Sequence, residues 1–353
     1  MAMDTAALSK SVQEMSMYGT EPPPQYLVKE SSFGSIGSSV PLGSIPIINV
    51  TLLAPSSSST LSKEEEEELD KLRSALSSWG SFQAIEHGIS NSFLDKVRGL
   101  AKHFLALPVE EKQKCSRRGG GAEGYGNDRI VSEKQVLDWC DRLSLRVFPE
   151  NQRRLEFWPD NPNDFREVLN EYAIKTKSIM DLLFKAMARS LKLEESSFLD
   201  QFGDQPLMLG RFNFYPSCVR PDLVLGIKPH SDRSGITILL QDKEVEGLQF
   251  FKDDRWFRVP IIPYAILVNL GDQMQIMSNG IFKSPLHRVV TNSEHERISV
   301  AMFNEPDPEK EIGPANGLVD EKRPRLYRNV KNYAAINYEC FQKGKIALDT
   351  VKV

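Results

Sequence analysis

Histidine is scarce in this chain, so a histidine placed close to a carboxylate is a candidate for metal chemistry. The 353 residues include only five histidines. His230 and Asp232 are two positions apart, and residues at this spacing on a strand point to the same face. His287 begins another predicted strand. Two imidazoles and one carboxylate on one face match the ligand set of non-haem Fe(II) oxygenases. The same ligands would also satisfy zinc in a hydrolase, so both metals stay open at this point.

A second group of residues predicts an anion site. Arg297 and Ser299 alternate with Ile298, so they share one face of a strand. An arginine that points into a protein interior needs an anion, and its guanidinium forms a two-pronged pair with a carboxylate. Asn213 and Tyr215 share a face of another predicted strand and are candidate donors to the same anion. Two alternatives remain: Arg297 points outward with Ile298 inward, or Tyr215 is a buried tyrosine bonded to the backbone.

The elements that must position these residues are short strands. After Gly203, strand-like runs repeat with turn residues between them over about 100 residues, which is typical of an all-β sandwich or barrel of the jelly-roll kind. The predicted strands are Leu209–Tyr215, Leu225–Ser231, Ile236–Gln241, Leu248–Phe251, Trp256–Val259, Ala265–Leu270, His287–Val290 and Ile298–Asn304.

The rest of the chain predicts helices around this β core. Ser62 and Glu65 form a capping-box pattern at the start of a helix. Apolar residues at helical spacing predict a second helix over residues 91–105 and a long one over 164–191. A last amphipathic helix is expected near residues 330–343. A first strand is expected at Ile45–Val50.

Composition excludes several classes of protein. The chain has 44 Lys+Arg against 48 Asp+Glu, a formal net charge of −4, which argues against nucleic-acid binding. No run approaches the ~18 apolar residues of a membrane span. The four cysteines are widely spaced, which disfavours a zinc ribbon or a disulfide framework. Residues 119–124 match G-x-G-x-x-G, but no strand precedes them and no helix follows, so a dinucleotide site is rejected. We therefore expect a cytoplasmic monomer with neither nucleic-acid nor membrane partners.

Several motifs together resemble the plant 2-oxoglutarate- and Fe(II)-dependent dioxygenases, and the resemblance covers nearly the whole chain. The subgroup it resembles contains senescence-related-gene-like proteins, alkaloid O-demethylases and the rice triketone-herbicide-detoxifying oxygenase. The motifs are Asn213-Phe214-Tyr215-Pro216-Ser217-Cys218, His230-Ser231-Asp232, His287-Arg288-Val289 and Arg297-Ile298-Ser299, with Trp79-Gly80-Ser81-Phe82-Gln83, Glu123-Gly124-Tyr125-Gly126 and Phe157-Trp158-Pro159 upstream.

The resemblance implies a ligand set. Fe(II) would be bound by His230, Asp232 and His287, which are also the catalytic residues. The cosubstrate 2-oxoglutarate would bind the iron at one end and pair with Arg297 at the other. Ser299 and Tyr215 would assist Arg297, and Asn213 would lie near the iron-bound end. O2 is the oxidant, and ascorbate is expected as a reductant.

The resemblance also implies a fold and an activity. The fold class is a mostly β core, a double-stranded β-helix (jelly roll), buttressed by N-terminal and C-terminal helices. The implied regions are a surface arm (1–44), the N-terminal region of the dioxygenase (45–200), the Fe(II)/2-oxoglutarate jelly-roll core (201–310) and a C-terminal helix packed on it (311–353). A small organic metabolite would be hydroxylated, O-demethylated or desaturated with release of succinate and CO2. The alternatives are a metalloenzyme that does not use 2-oxoglutarate and a non-catalytic binding protein.

Two residues are candidates for the substrate pocket. Arg233 follows Asp232, where this family commonly has a small residue. It would either place a cation at the entrance of the site or point outward. Phe303 shares a strand face with Arg297 and Ser299, and would form either an aromatic wall of the pocket or ordinary core packing.

Overall fold

A computed structural model describes residues 11–28, 36, 40–54, 61–118, 121–128, 135–342 and 345–353. The helices are α1 (Val12–Met17), α2 (Lys63–Ser78), α3 (Asn91–Ala106), α4 (Val109–Lys114), α5 (Phe165–Ser190), α6 (Asp272–Met277) and α7 (Tyr333–Gln342). The strands are β1 (Ile47–Asn49), β2 (Ser81–Ile85), β3 (Gly124–Gly126), β4 (Asp141–Phe148), β5 (Leu207–Tyr215), β6 (Leu225–His230), β7 (Ile236–Leu240), β8 (Leu248–Lys252), β9 (Arg255–Arg258), β10 (Ile266–Leu270), β11 (His287–Val290), β12 (Arg297–Glu305), β13 (Glu311–Ile312) and β14 (Val330–Lys331).

Two sheets form the core of the molecule. The large sheet has eight strands in the order β1-β2-β10-β7-β12-β5-β4-β3, and the small sheet has four in the order β6-β11-β8-β9. All pairs are antiparallel except β1 with β2. From β5 to β12, successive strands alternate between the two sheets except for the β8–β9 hairpin, and this is the winding of a jelly roll. The predicted double-stranded β-helix is confirmed.

The two faces of the large sheet belong to different apolar clusters, as the two-residue period of a strand requires. On β12, Ile298, Val300 and Met302 lie in the main core between the sheet and the helices. Ala301 lies in a second cluster between the two sheets, together with Tyr215 of β5. We call the space between the sheets the inter-sheet chamber. The large-sheet side of the chamber is therefore the face that carries Arg297 and Ser299.

Helices cover the outer face of the large sheet. The long α5 buries thirteen residues of its length and packs on this face, as the predicted helix over 164–191 required. Ser62 caps α2, with its hydroxyl accepting from the Glu65 N–H and the Glu65 side chain accepting from the Ser62 N–H, as the sequence pattern predicted. The C-terminal helix begins later than expected, at Tyr333, because Val330 and Lys331 pair in a short strand instead.

The described part of the first 44 residues contributes buried side chains. Val12 and Tyr26 are 0% and 2% exposed and belong to a third apolar cluster with Trp139. The buried carboxylate of Asp141 accepts hydrogen bonds from the N–H groups of Val12 (3.0 Å) and Gln13 (2.8 Å) at the start of α1.

Among the described residues, no helix has the length and apolar character that crossing a membrane requires.

Candidate metal and anion site

Three side chains converge in the chamber at one end of the small sheet. His230 ends β6, His287 begins β11, and the two are direct partners in the antiparallel register. Asp232 lies in the loop after β6, so strand alternation does not place it. Its backbone carbonyl instead accepts the Asp272 N–H at 2.7 Å. The Asp232 Oδ1 lies 3.8 Å from His230 Nε2 and 3.7 Å from His287 Nε2.

The hydrogen bonds of the two histidines leave the nitrogens that face Asp232 available. His230 Nδ1 lies 2.8 Å from the Lys228 carbonyl, and His287 Nδ1 lies 3.0 Å from the Pro285 carbonyl. A carbonyl only accepts, so each Nδ1 carries a proton, and Nε2 is the ring nitrogen that each histidine can offer to a metal. Desolvation, reinforced by the adjacent His287, holds the pKa of His230 well below its usual range. The imidazole is therefore neutral, the form that binds a metal.

The predicted anion residues also converge. Arg297 pairs with Tyr215, and Ser299 with Asn213, across β12 and β5. The Asn213 Nδ2 donates to Ser299 Oγ at 3.1 Å. Arg297 is 3% exposed, yet none of its three guanidinium nitrogens has a hydrogen-bond partner among the described residues. Burial raises the pKa of the Tyr215 phenol, so this group remains a neutral donor.

Two glycines of the small-sheet side make room for the anion residues. A Cβ atom on Gly247 would lie 2.9 Å from Cδ of Arg297, and one on Gly226 would lie 2.8 Å from Cδ1 of Tyr215. Gly226 lies within β6, and Gly247 directly precedes β8. The arginine and the tyrosine therefore reach across the chamber toward the sheet that carries the two histidines.

The two candidate pocket residues have different surroundings. Phe303 is partly buried on the chamber face of β12, with the guanidinium of Arg211 5.0 Å from its ring centre. Arg233 donates from Nε to Glu305 at 2.9 Å, so its charge already has a carboxylate partner. Arg211 was missed by the sequence reasoning. Its alternation with Asn213 and Tyr215 on β5 is the signal that places it in the chamber.

Four charged side chains form a cluster behind His230. Lys228 Nζ lies 2.5 Å from Asp138 and 2.9 Å from Asp128, and Arg142 bonds both carboxylates. The Lys228 N–H also donates to Asp138, at 3.0 Å. Burial alone would raise the pKa of Asp138, but Lys228 and Arg142 hold it well below its usual range. This cluster fixes the residue whose carbonyl orients His230, and no motif in the sequence pointed to it.

Comparison with known proteins agrees with this geometry. The 2OG-Fe(II) oxygenase superfamily signature matches residues 206–306, and that of the non-haem dioxygenase in morphine synthesis N-terminal region matches residues 45–161. Codeine O-demethylase of Papaver somniferum is 39% identical over 349 residues, which cover 97% of this chain and 96% of that protein. The chain belongs to the 2OG-Fe(II) oxygenase superfamily. Protein SRG1 of Arabidopsis thaliana is 37% identical over 99% of this oxygenase and 98% of its own length.

A solved structure extends the likeness to the whole fold of this oxygenase. The crystal structure of JOX2 in complex with 2OG, Fe and JA has a TM-score of 0.86 at 32% identity and covers 98% of both chains. The predicted family, enzyme class and cofactors are therefore confirmed: the protein is a 2-oxoglutarate- and Fe(II)-dependent dioxygenase that acts on a small molecule.

The residues present suit these cofactors. Two imidazoles and a carboxylate are the donors of a non-haem Fe(II) site. Asp232 is 6% exposed and its Oδ2 has no hydrogen-bond partner among the described residues, so it retains the capacity to bind a cation. The unpartnered Arg297 guanidinium provides the complementary capacity to bind a carboxylate.

Proposed function

We propose that His230, Asp232 and His287 bind the Fe(II) of this dioxygenase. Their ligand atoms all lie within 4.8 Å of one another, and each histidine is held by a backbone carbonyl that fixes its ring. Three ligands on one side leave the remaining positions for cosubstrate and oxygen. When bound, the iron supplies the oxygen chemistry that couples substrate oxidation to conversion of 2-oxoglutarate into succinate and CO2.

We further propose that Arg297 binds the C5 carboxylate of 2-oxoglutarate. The observation that carries this assignment is the buried guanidinium with three unpartnered nitrogens, since leaving such a group unpaired is costly. Ser299 and the neutral Tyr215 phenol donate to the same carboxylate. Asn213 orients the Ser299 hydroxyl and lies toward the iron-bound end. The apolar cluster between the sheets excludes water and strengthens these electrostatic contacts.

A succinate assay tests both assignments. With Fe(II), 2-oxoglutarate, ascorbate and air, His230→Ala and Asp232→Ala are expected to abolish succinate release and to bind no stoichiometric iron. His295→Ala removes a histidine whose side chain is 66% exposed and serves as the matched control. It should retain both succinate release and stoichiometric iron binding. Full turnover in either ligand variant would sink the iron assignment. Release of succinate also separates this function from that of a zinc enzyme on the same fold.

A small organic metabolite is the substrate that we infer, with hydroxylation, O-demethylation and desaturation as the three outcomes that one such site supports. Relatives named for O-demethylation and a structure that holds JA support this range. Incubation with a plant metabolite pool should give mass shifts of roughly +16, −14 or −2 for the three outcomes. A pool without any of these shifts, despite 2-oxoglutarate consumption, would count against a metabolite substrate.

We also infer that the enzyme acts as a cytoplasmic monomer. The four cysteines are buried and free in the structure, which suits a reducing compartment. Light scattering on the purified protein should give the mass of one chain, and a fluorescent fusion should distribute through the cytosol. A dimer mass or an organelle pattern would refute the respective statement.

A further inference from the structure

The strand that carries Arg297 is paired on one side only where it begins. From Val300 onward, β12 lies between β7 and β5, but its first three residues pair with β5 alone. If the β7 ladder continued, Asp242 would lie opposite Ile298, since Leu240 pairs with Val300. A strand end with one neighbour can shift, so the arginine needs another support.

Asp242 supplies that support through its side chain. The residue is buried, and its Oδ2 accepts a hydrogen bond from the Ile298 N–H at 3.1 Å. Its Oδ1 accepts hydrogen bonds from the N–H groups of Glu244 at 3.0 Å and Val245 at 3.3 Å, so the same carboxylate also closes the turn after β7. One side chain therefore ties the loop between β7 and β8 to the residue that follows Arg297.

This loop also contacts Arg297 directly and is held at both of its ends. A Cβ atom on Gly247 would lie 2.9 Å from Cδ of Arg297, and the Gly247 carbonyl accepts the Val290 N–H at 2.8 Å. At the other end of the loop, the buried Arg98 of α3 donates from Nε to the Gln241 carbonyl at 3.0 Å. The start of β12 therefore lies against a firmly held segment.

Asp242 leaves the charge of Arg297 available. None of the three guanidinium nitrogens has a hydrogen-bond partner among the described residues, although a carboxylate binds the next backbone N–H. The arginine is thus positioned through the main chain, and its donors remain for an anion. A two-pronged pair with a carboxylate depends on the relative orientation of both groups, so a shift of the strand weakens it.

We propose that Asp242 is a positioning residue for the cosubstrate, because it holds the start of β12 where the Arg297 guanidinium meets the C5 carboxylate of 2-oxoglutarate. This inference rests on the proposed function, in which Arg297 binds that carboxylate. Loss of the bond to Ile298 should weaken 2-oxoglutarate binding about tenfold, the equivalent of one lost hydrogen bond to a charged group.

Asp242→Asn removes the bond to Ile298 and keeps the turn. Its one remaining carbonyl oxygen can close the turn, as Asn292 does elsewhere in this chain by accepting the N–H groups of Glu294 and His295. The amide NH2 group then faces the Ile298 N–H, and two donors form no hydrogen bond. The variant therefore separates the link to β12 from the folding of the loop.

The measurement is the Kd for two ligands, by anaerobic calorimetry on the Fe(II)-loaded proteins. The ligands are 2-oxoglutarate and 2-oxopentanoate, which keeps the 2-oxo acid end and has a methyl group in place of the C5 carboxylate. Asp242→Asn should raise the Kd for 2-oxoglutarate about tenfold and leave the Kd for 2-oxopentanoate unchanged. Asp320→Asn should change neither and is the matched control, because Asp320 accepts the N–H groups of Lys322 and Arg323 in the same pattern in an exposed turn.

The outcomes separate this inference from the proposed function. An unchanged Kd for 2-oxoglutarate in folded Asp242→Asn, or an equal rise for both ligands, would overturn the positioning role. Wild-type protein that binds the two ligands equally well would instead overturn the assignment of Arg297 to the C5 carboxylate. Circular dichroism shows whether each variant is folded. If Asp242→Asn is not, Asp242→Ser takes its place, since the serine hydroxyl can also close the turn but is too short to reach Ile298.

Discussion

One added methyl group at Gly247 tests the cosubstrate anchor without removing any functional side chain. A Cβ atom at this position would lie 2.9 Å from Cδ and 3.2 Å from Nε of Arg297. Carbon atoms pack at about 3.5 Å or more, so the arginine must move by roughly half an ångström. The Val290 carbonyl, 3.1 Å from the same Cβ, limits relaxation of the β8 side. The displacement therefore falls on the guanidinium.

The expected effect is a loss of affinity for 2-oxoglutarate. Displacement of this size breaks one of the two hydrogen bonds of a bidentate pair, and a hydrogen bond to a charged group contributes about 1.5–3 kcal/mol. The lower value corresponds to about a tenfold rise in KM for 2-oxoglutarate. Because the iron ligands are untouched, kcat at saturating cosubstrate should change much less.

Steady-state succinate release against 2-oxoglutarate concentration measures this effect. The control is Gly99→Ala on the exposed side of α3, where an added Cβ meets nothing within 4 Å. It should leave KM unchanged and stabilise the helix by about 0.5–1 kcal/mol. A Gly247→Ala enzyme with wild-type KM and a wild-type melting temperature would refute the assignment of Arg297 as the anchor.

Three further predictions concern the groups around the site. Asp138→Asn removes one charge from behind His230 and should weaken Fe(II) binding about tenfold in equilibrium dialysis, because groups that orient a ligand tune metal affinity; wild-type affinity would contradict that role. Tyr333→Phe removes the hydroxyl that donates to buried Asp272 at 2.8 Å. It should cost about 1–3 kcal/mol in denaturant unfolding, and a smaller loss would mean that water replaces the bond. Iron removal by a chelator should lower the melting temperature of wild type but not of Asp232→Ala, since a ligand that binds only the folded state stabilises it; equal shifts would disprove a metal at this site.

Much of the β core could be predicted because strand periodicity is a local property of the sequence. Alternation alone placed Ile298, Val300 and Met302 on one face of β12 and Arg297 with Ser299 on the other, as the apolar clusters show. The same signal was present in β4, where Leu143, Leu145 and Val147 alternate with polar residues, but that strand was not predicted. Its position before the long helix, apart from the run of short strands, concealed it.

Asp232 lies close to the two histidines for a reason that differs from the sequence argument. The i, i+2 argument needs a strand through Asp232, whereas β6 ends at His230. Its carboxylate reaches the histidines because the loop is held from α6, where the Asp272 N–H bonds its carbonyl. Gly271 lies so close to this loop that a Cβ there would be 2.0 Å from the Ser234 carbonyl. Contacts between distant segments of this kind leave no local pattern in the sequence.

Net charge describes the whole surface of a protein and says little about the inside of its chamber. The chain as a whole is mildly acidic at −4, yet Arg297 and Arg211 both face the space between the sheets without a carboxylate partner among the described residues. On the assignment proposed above, a carboxylate of the dianion 2-oxoglutarate pairs with the Arg297 guanidinium. The charge that a cosubstrate meets in the chamber is therefore set by individual strand positions, such as that of Arg297, rather than by the overall composition.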